Sequence, residues 1–322
     1  MKLLFPLVLA TIAGCGDTGV LQHAAAGTTA SILAMAQPAL QGESDYELAA
    51  RAIPGALKTV EGFYIADAQP ELRTILTEGY CQYASGFVED EWEAARFAKN
   101  LDEVAYHNER ASKMFTRCLN YALSALPSGF ERDLFSTTDV ATKRIAATGS
   151  QYRTPMMWAF IALGGMINHN LTNVEMLAFI PTVKAGLERV VEIDRAQHGA
   201  IDGAHREPCD APCTLRLALP HIALGMVYSA ARLGGDPTRA AQEFQTALRI
   251  TASAKHPQGR ALLARVLWAY RLGLLTNDRK LFHDQLAQVM ETDPSIWPEQ
   301  RLANEVAQRR ARRYLVHEKE LF

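Results

Sequence analysis

Residues 220–248 restrict the fold more than any other stretch, because they spell two helices and the turn between them. Leu224, Gly225 and Tyr228 share one face of the first helix, and Ala240, Phe244 and Ala247 share one face of the second. Gly225 and Ala240 are small where two backbones must come close, while Tyr228 and Phe244 are large enough to fill the space beside them. Between the helices, Gly234-Gly235 suits a left-handed C-terminal cap, Asp236 an N-cap, and Pro237 the first helical position, where no N–H is needed. By the same rule Pro220 opens the first helix and places His221 at its second position. A hairpin of this size cannot bury its apolar face alone, so it implies stacked neighbours and a concave surface.

The rest of the chain supplies those neighbours. Leu57, Val60, Phe63 and Tyr64 recur at helical spacing, with Pro54 expected to break or kink that region into two helices. Pro70 starts a helix that keeps Leu72, Leu76, Gly79, Tyr80, Tyr83 and Phe87 on one side. Its partner begins at the capping box Asn100-x-x-Glu103, carries Ala111, Phe115, Cys118 and Ala122, and stops at Pro127 and Gly129. A third pair spans Thr154 to about Asp194, and the adjacent Gly164-Gly165 predicts close helix packing or a cavity, since glycine weakens a helix. A last set covers residues 261–275, 281–290 and 298–322. The expected fold is all-α: hairpins similar to tetratricopeptide repeats, stacked in a right-handed superhelix around a central cavity, in one domain over residues 43–322. Two charged runs, Glu89-Asp-Glu-Trp-Glu93 and Arg309-Arg-Ala-Arg-Arg313, read as solvated faces, with Trp92 the one member to watch. The basic run also suits an acidic partner or anionic lipid headgroups.

At the N-terminus, Met1-Lys2 precedes an apolar run ending in Ile12-Ala13-Gly14-Cys15, which resembles a bacterial lipoprotein signal. Cleavage before Cys15 would leave residues 1–14 as signal peptide and a lipidated tether over 15–42. Gly16 in place of an aspartate after the cysteine favours the outer membrane as the anchor, facing the periplasm. Four cysteines remain, an even number suited to an oxidising compartment. Cys81 and Cys118 lie about equally far from the turn at Asn100 and should face each other, as a disulfide or as two buried thiols. Cys209 and Cys213 could close a small disulfide ring, and their spacing matches none of the common zinc patterns, so no metal is expected. A net charge of only −2 gives no field for nucleic acid.

Several of these stretches together carry a family resemblance. Residues 52–58 with Glu61-Gly62, residues 79–87, Trp158-Ala159 with the Gly164-Gly165 helix, His221 with Leu224-Gly225, residues 234–237 and residues 302–312 resemble the T component associated with TRAP transporters, the TatT family. That resemblance implies a periplasmic lipoprotein of helical hairpins that docks a TRAP-type periplasmic solute-binding protein, with homotrimers described for the family. It further implies a cavity or pore in each protomer for a small, hydrophobic ligand. The Cys209–Cys213 loop and the long Glu89–Arg110 hairpin depart from the family pattern.

No nucleophile elbow, phosphate-binding glycine loop, His-Glu-x-x-His pair or calcium loop occurs, so neither enzymatic activity nor a cofactor is expected. Candidate cavity residues are Tyr83, Trp158 and Tyr228, aromatics with polar tips, together with Asn168 and His221. Ordinary core packing explains the aromatics as well, and a turn explains Asn168-His169-Asn170. The expected role is accessory protein of solute uptake; the alternative is a lipoprotein scaffold for envelope or outer-membrane assembly.

Overall fold

The computed structural model describes residues 18–199, 210–230 and 235–322, and among these every regular element is a helix. The signal segment, Cys15, Cys209 and Gly234 lie outside the described residues. In chain order the first helices are α1 (Thr18–Gln41), α2 (Tyr46–Ala66), α3 (Pro70–Tyr83), α4 (Glu89–Phe97) and α5 (Leu101–Ser124). Most of the expected tether is thus helical, and α1 docks on α3 with Ala30 buried. No α-helical break separates α3 from α4: the π-helical turn Ala84–Val88 joins them, so the backbone gains one residue per turn there without stopping. Asn100 caps α5 by accepting from the Glu103 N–H, as its capping box predicts.

Next come α6 (Phe130–Leu134), α7 (Thr138–Ala147), α8 (Arg153–Asn168), α9 (Val174–Leu177), α10 (Ile180–His198), α11 (Ala211–Tyr228) and α12 (Pro237–Ile250). The chain closes with α13 (Leu262–Leu267), the π-helical turn Trp268–Leu272, α14 (Gly273–Thr276), α15 (Arg279–Glu291), α16 (Arg301–Val316) and α17 (Glu318–Leu321). Neighbours pack in order: α2 on α3, α3 on α5, α5 on α8, α8 on α10, α10 on α11 and α11 on α12, before α13, α15 and α16 follow. At the α11–α12 seam a Cβ on Gly225 would come within 2.8 Å of the Phe244 ring, which is why the two backbones need glycine there. Asp236 and Pro237 start α12 as their types dictate.

Two helix-internal prolines, Pro54 and Pro220, correct the boundaries expected from them. Pro54 lies inside one continuous α2, whose buried Ala49, Ile53, Leu57 and Val60 straddle it and hold the two halves in line. Pro220 lies inside α11, which begins at Ala211 under an Asp210 cap, so His221 is mid-helical. A helical proline strips the carbonyl four residues earlier of its partner. For Pro220 that carbonyl belongs to Arg216, and it accepts instead from Arg153 Nη2 at 2.7 Å. Arg153 is itself buried and pairs with both oxygens of Asp194.

The stack of hairpins closes on itself. Helix α16 packs against α1, α2 and α4, joining the last helices to the first. The two charged runs make this closure and are therefore not solvated faces. Buried Glu93 takes bonds from Arg310, from the Tyr314 hydroxyl at 2.6 Å and from Arg313 at 3.4 Å. Buried Asp90 meets Arg309 at 2.7 Å, Arg313 at 2.8 Å and the Tyr46 hydroxyl at 3.0 Å. Arg309 stays half exposed and also reaches the outer Glu91 at 3.6 Å. Against Glu93, burial alone would lower the Arg310 pKa, but the carboxylate outweighs it and raises the group well above its ordinary value.

A cavity inside the helical ring

The closed ring surrounds a cavity of about 370 Å³, within the range of small-molecule pockets. Helices α1, α2, α3, α5, α8, α10, α11, α13 and α16 each contribute wall residues, as do both π-helical turns. Most of the wall is aliphatic or aromatic, including Val183, Leu187, Leu219, Ile222, Leu263 and Trp297. Helix α8 brings Gly164 and Gly165 to the cavity wall. A Cβ on Gly165 would lie 2.5 Å from the Phe115 ring, so that glycine lets α5 approach. At its neighbour Gly164 a Cβ would meet only Val183, in ordinary contact at 3.7 Å.

One charged group of side chains stands in the mostly apolar wall. Glu89, Asn168, Arg271 and Arg310 all line the cavity. Asn168 links two of them, its Nδ2 donating to Glu89 Oε1 and its Oδ1 accepting from Arg271 Nη2, each at 3.4 Å. Behind them His169 is buried, with Nε2 3.0 Å from Glu89 Oε1 and Nδ1 2.9 Å from Asn108 Oδ1. Asn108 holds its orientation by donating Nδ2 to the His169 carbonyl at 2.7 Å. Trp92 packs edge-on against the His169 ring. Burial alone would raise the Glu89 pKa; the His169 bond and the charges of His169, Arg310 and Arg271 outweigh it and keep the carboxyl below its ordinary value. Glu78 behaves oppositely. Burial dominates and raises its pKa, offset only in part by a 3.3 Å bond from Trp158 Nε1 and by Arg216.

Of the candidate cavity residues, Tyr83, Trp158 and Asn168 stand in the wall, whereas His221 and Tyr228 are placed elsewhere. The His221 Nδ1 meets Glu243 at 2.6 Å across the α11–α12 seam. The Tyr228 hydroxyl donates to Glu188 Oε1 at 2.6 Å, under the Arg239 guanidinium. Both therefore join helices to each other. A disulfide joins Cys81 on α3 to Cys118 on α5, closing a 37-residue separation beside the cavity wall. Arg271 and Glu89 were not foreseen as wall residues, although Arg271 lies in one π-helical turn and Glu89 follows the other, and such turns are common at functional sites. Among the described residues no helix is long and apolar enough to cross a membrane.

The described residues thus form a ring of helical hairpins around a mostly apolar cavity with one charged corner. The chain belongs to the TRAP transporter T-component (TAtT) family, whose model matches residues 42–204 and 220–322. The resemblance expected from the sequence motifs is thereby borne out. The break in the match falls across the Cys209–Cys213 segment, while the Glu89–Arg110 hairpin lies inside it. An uncharacterized protein of Treponema pallidum (strain Nichols) is 26% identical over 289 residues, 87% of this chain and 81% of the relative.

Proposed function

We propose that this protein is a lipid-anchored periplasmic accessory component of a TRAP-type solute uptake system, docking a solute-binding protein and holding or passing a small ligand. Membership of the T-component family supplies the transport context. The observation that carries the ligand role is the apolar cavity, to which nearly every layer of the ring contributes. Its chemistry is affinity and geometry, without covalent steps. In this reading the hairpins stack as a right-handed superhelix, Cys15 carries the acyl anchor in the outer membrane, and three copies associate. Capture of the full lipidated protein from membranes of its host, followed by mass spectrometry of proteins and extracted small molecules, tests the reading. Co-purification of a TRAP-type solute-binding protein is expected. Recovery of envelope-assembly proteins without one overturns it.

A further inference from the structure

The polar corner of the cavity holds one cation whose hydrogen-bonding capacity is largely unused. Arg271 Nε is buried and has no partner, and its bond to Asn168 is long at 3.4 Å. A guanidinium presents five donors in a fixed fork, so a half-buried fork whose buried Nε has no partner is an incomplete arrangement. The other charged groups in this corner are engaged. Arg310 is held by Glu93, and Glu89 accepts from His169 and Asn168. The seam is matched within itself, Arg309, Arg310 and Arg313 meeting Asp90, Glu91 and Glu93, which leaves Arg271 near Glu89, a carboxylate already bonded to His169 and Asn168. Arg271 projects from the π-helical turn Trp268–Leu272, where the extra residue rotates the following side chains relative to the α13 face.

Resting on the reading of the cavity as a ligand site, we propose that its ligand is an amphiphile with a carboxylate head, bound through Arg271, and an apolar tail lying along α8, α10 and α11. A carboxylate fits the guanidinium fork by two parallel bonds, which a neutral hydroxyl cannot reproduce. Val183, Leu187, Leu219 and Ile222 offer the tail only dispersion and burial, which favour length over shape. Asn168, bonded to both Arg271 and Glu89, then serves as the positioning residue between them.

Three ten-carbon probes differing only in the head separate the contributions: decanoate, 1-decanol and decyltrimethylammonium. Titration calorimetry on the purified full chain should show decanoate binding at least about tenfold tighter than decanol, the effect of one charge-assisted contact. The cation should bind weakest. Arg271→Met keeps length and removes the fork, so it should abolish the preference for decanoate while leaving decanol affinity within about twofold. Arg271→Lys should restore part of it. The comparison on the unaltered protein stands even where a variant fails to fold. Equal binding of decanoate and decanol overturns the headgroup assignment but leaves the cavity as a ligand site. A preference for the cation overturns it in favour of Glu89. Binding of none of the three overturns this inference and the ligand part of the proposed function, without touching the docking part.

Discussion

Glu78 and Glu89 are two carboxyl groups on the same continuous helical run, and their surroundings drive them in opposite directions. For Glu78, burial outweighs the Trp158 bond, so the folded state binds its proton more tightly than the unfolded chain does. The stabilisation from that proton is complete below the ordinary value of 4.5 and is lost as pH rises through the higher folded value. At neutral pH the charge therefore costs stability, and Glu78→Gln, which can still accept from Trp158, should raise the urea midpoint at pH 7. At pH 4 the advantage should shrink towards zero. Glu89 has the reverse sign: its folded value is depressed, so its contribution is present above 4.5 and fades as pH falls through the folded value. Glu89→Gln should lower the midpoint at pH 7 and matter progressively less in acid. If both variants respond to pH with the same sign, the assignment of burial to one and of neighbouring charge to the other is wrong. Neither carboxylate could be singled out from the sequence, because what distinguishes them is a tryptophan 80 residues away in one case and a histidine 80 residues away in the other.

At the scale of elements, local chemistry made the hairpins readable. Asn100, Asp236 and Pro70 do in the structure what their types dictate, since a cap acts within three residues of itself. Pro54 and Pro220 misled for a physical reason: helix interruption is a local rule, and packing on both sides of α2, or the Arg153 guanidinium beside α11, overrides it. Helices α6 and α7 went unread because they are short, and their apolar positions are too few to show a period. The Gly164-Gly165 pair was legible as a close packing or cavity signal, and the structure divides the two roles. Gly165→Ala drives a Cβ into the buried Phe115 ring and should cost about 1–3 kcal/mol. Gly164→Ala meets only ordinary contact with Val183, so helix propensity should leave it neutral or up to about 1 kcal/mol more stable. Denaturant unfolding of the two variants checks the contrast, and equal effects would remove the argument that close packing requires one glycine and not the other. The Glu93–Arg310 pair is a second element-scale test. Arg310→Met alone leaves Glu93 buried with less compensation and should cost about 3–5 kcal/mol, whereas adding Glu93→Leu should recover most of that loss. A double-mutant cycle with little coupling would show that the pair merely lies at the seam.

For the whole molecule, closure changes how stability is distributed. An open stack of hairpins is stabilised by each unit and its nearest neighbours, so its ends fray independently. Here the last long helix meets the first hairpin through Arg309, Arg310 and Arg313 on Asp90 and Glu93, across separations of more than 200 residues. Such a contact cannot be read from local pattern, and each run by itself has the composition of a wetted surface. Closure also shapes the site, because Arg310 belongs both to the seam and to the cavity wall. Loosening the seam should therefore open the cavity before it unfolds the stack. With Arg310→Met and Arg313→Met together, amide exchange in α4 and α16 should accelerate strongly, because their opening no longer separates buried ion pairs. The α5–α8 seam, tied by Phe115 against Gly165 and by the Cys81–Cys118 disulfide next to it, should keep its protection. Uniform acceleration throughout the chain would instead mean that the ring opens only by global unfolding, and that the charged seam stabilises the whole molecule without acting as its gate.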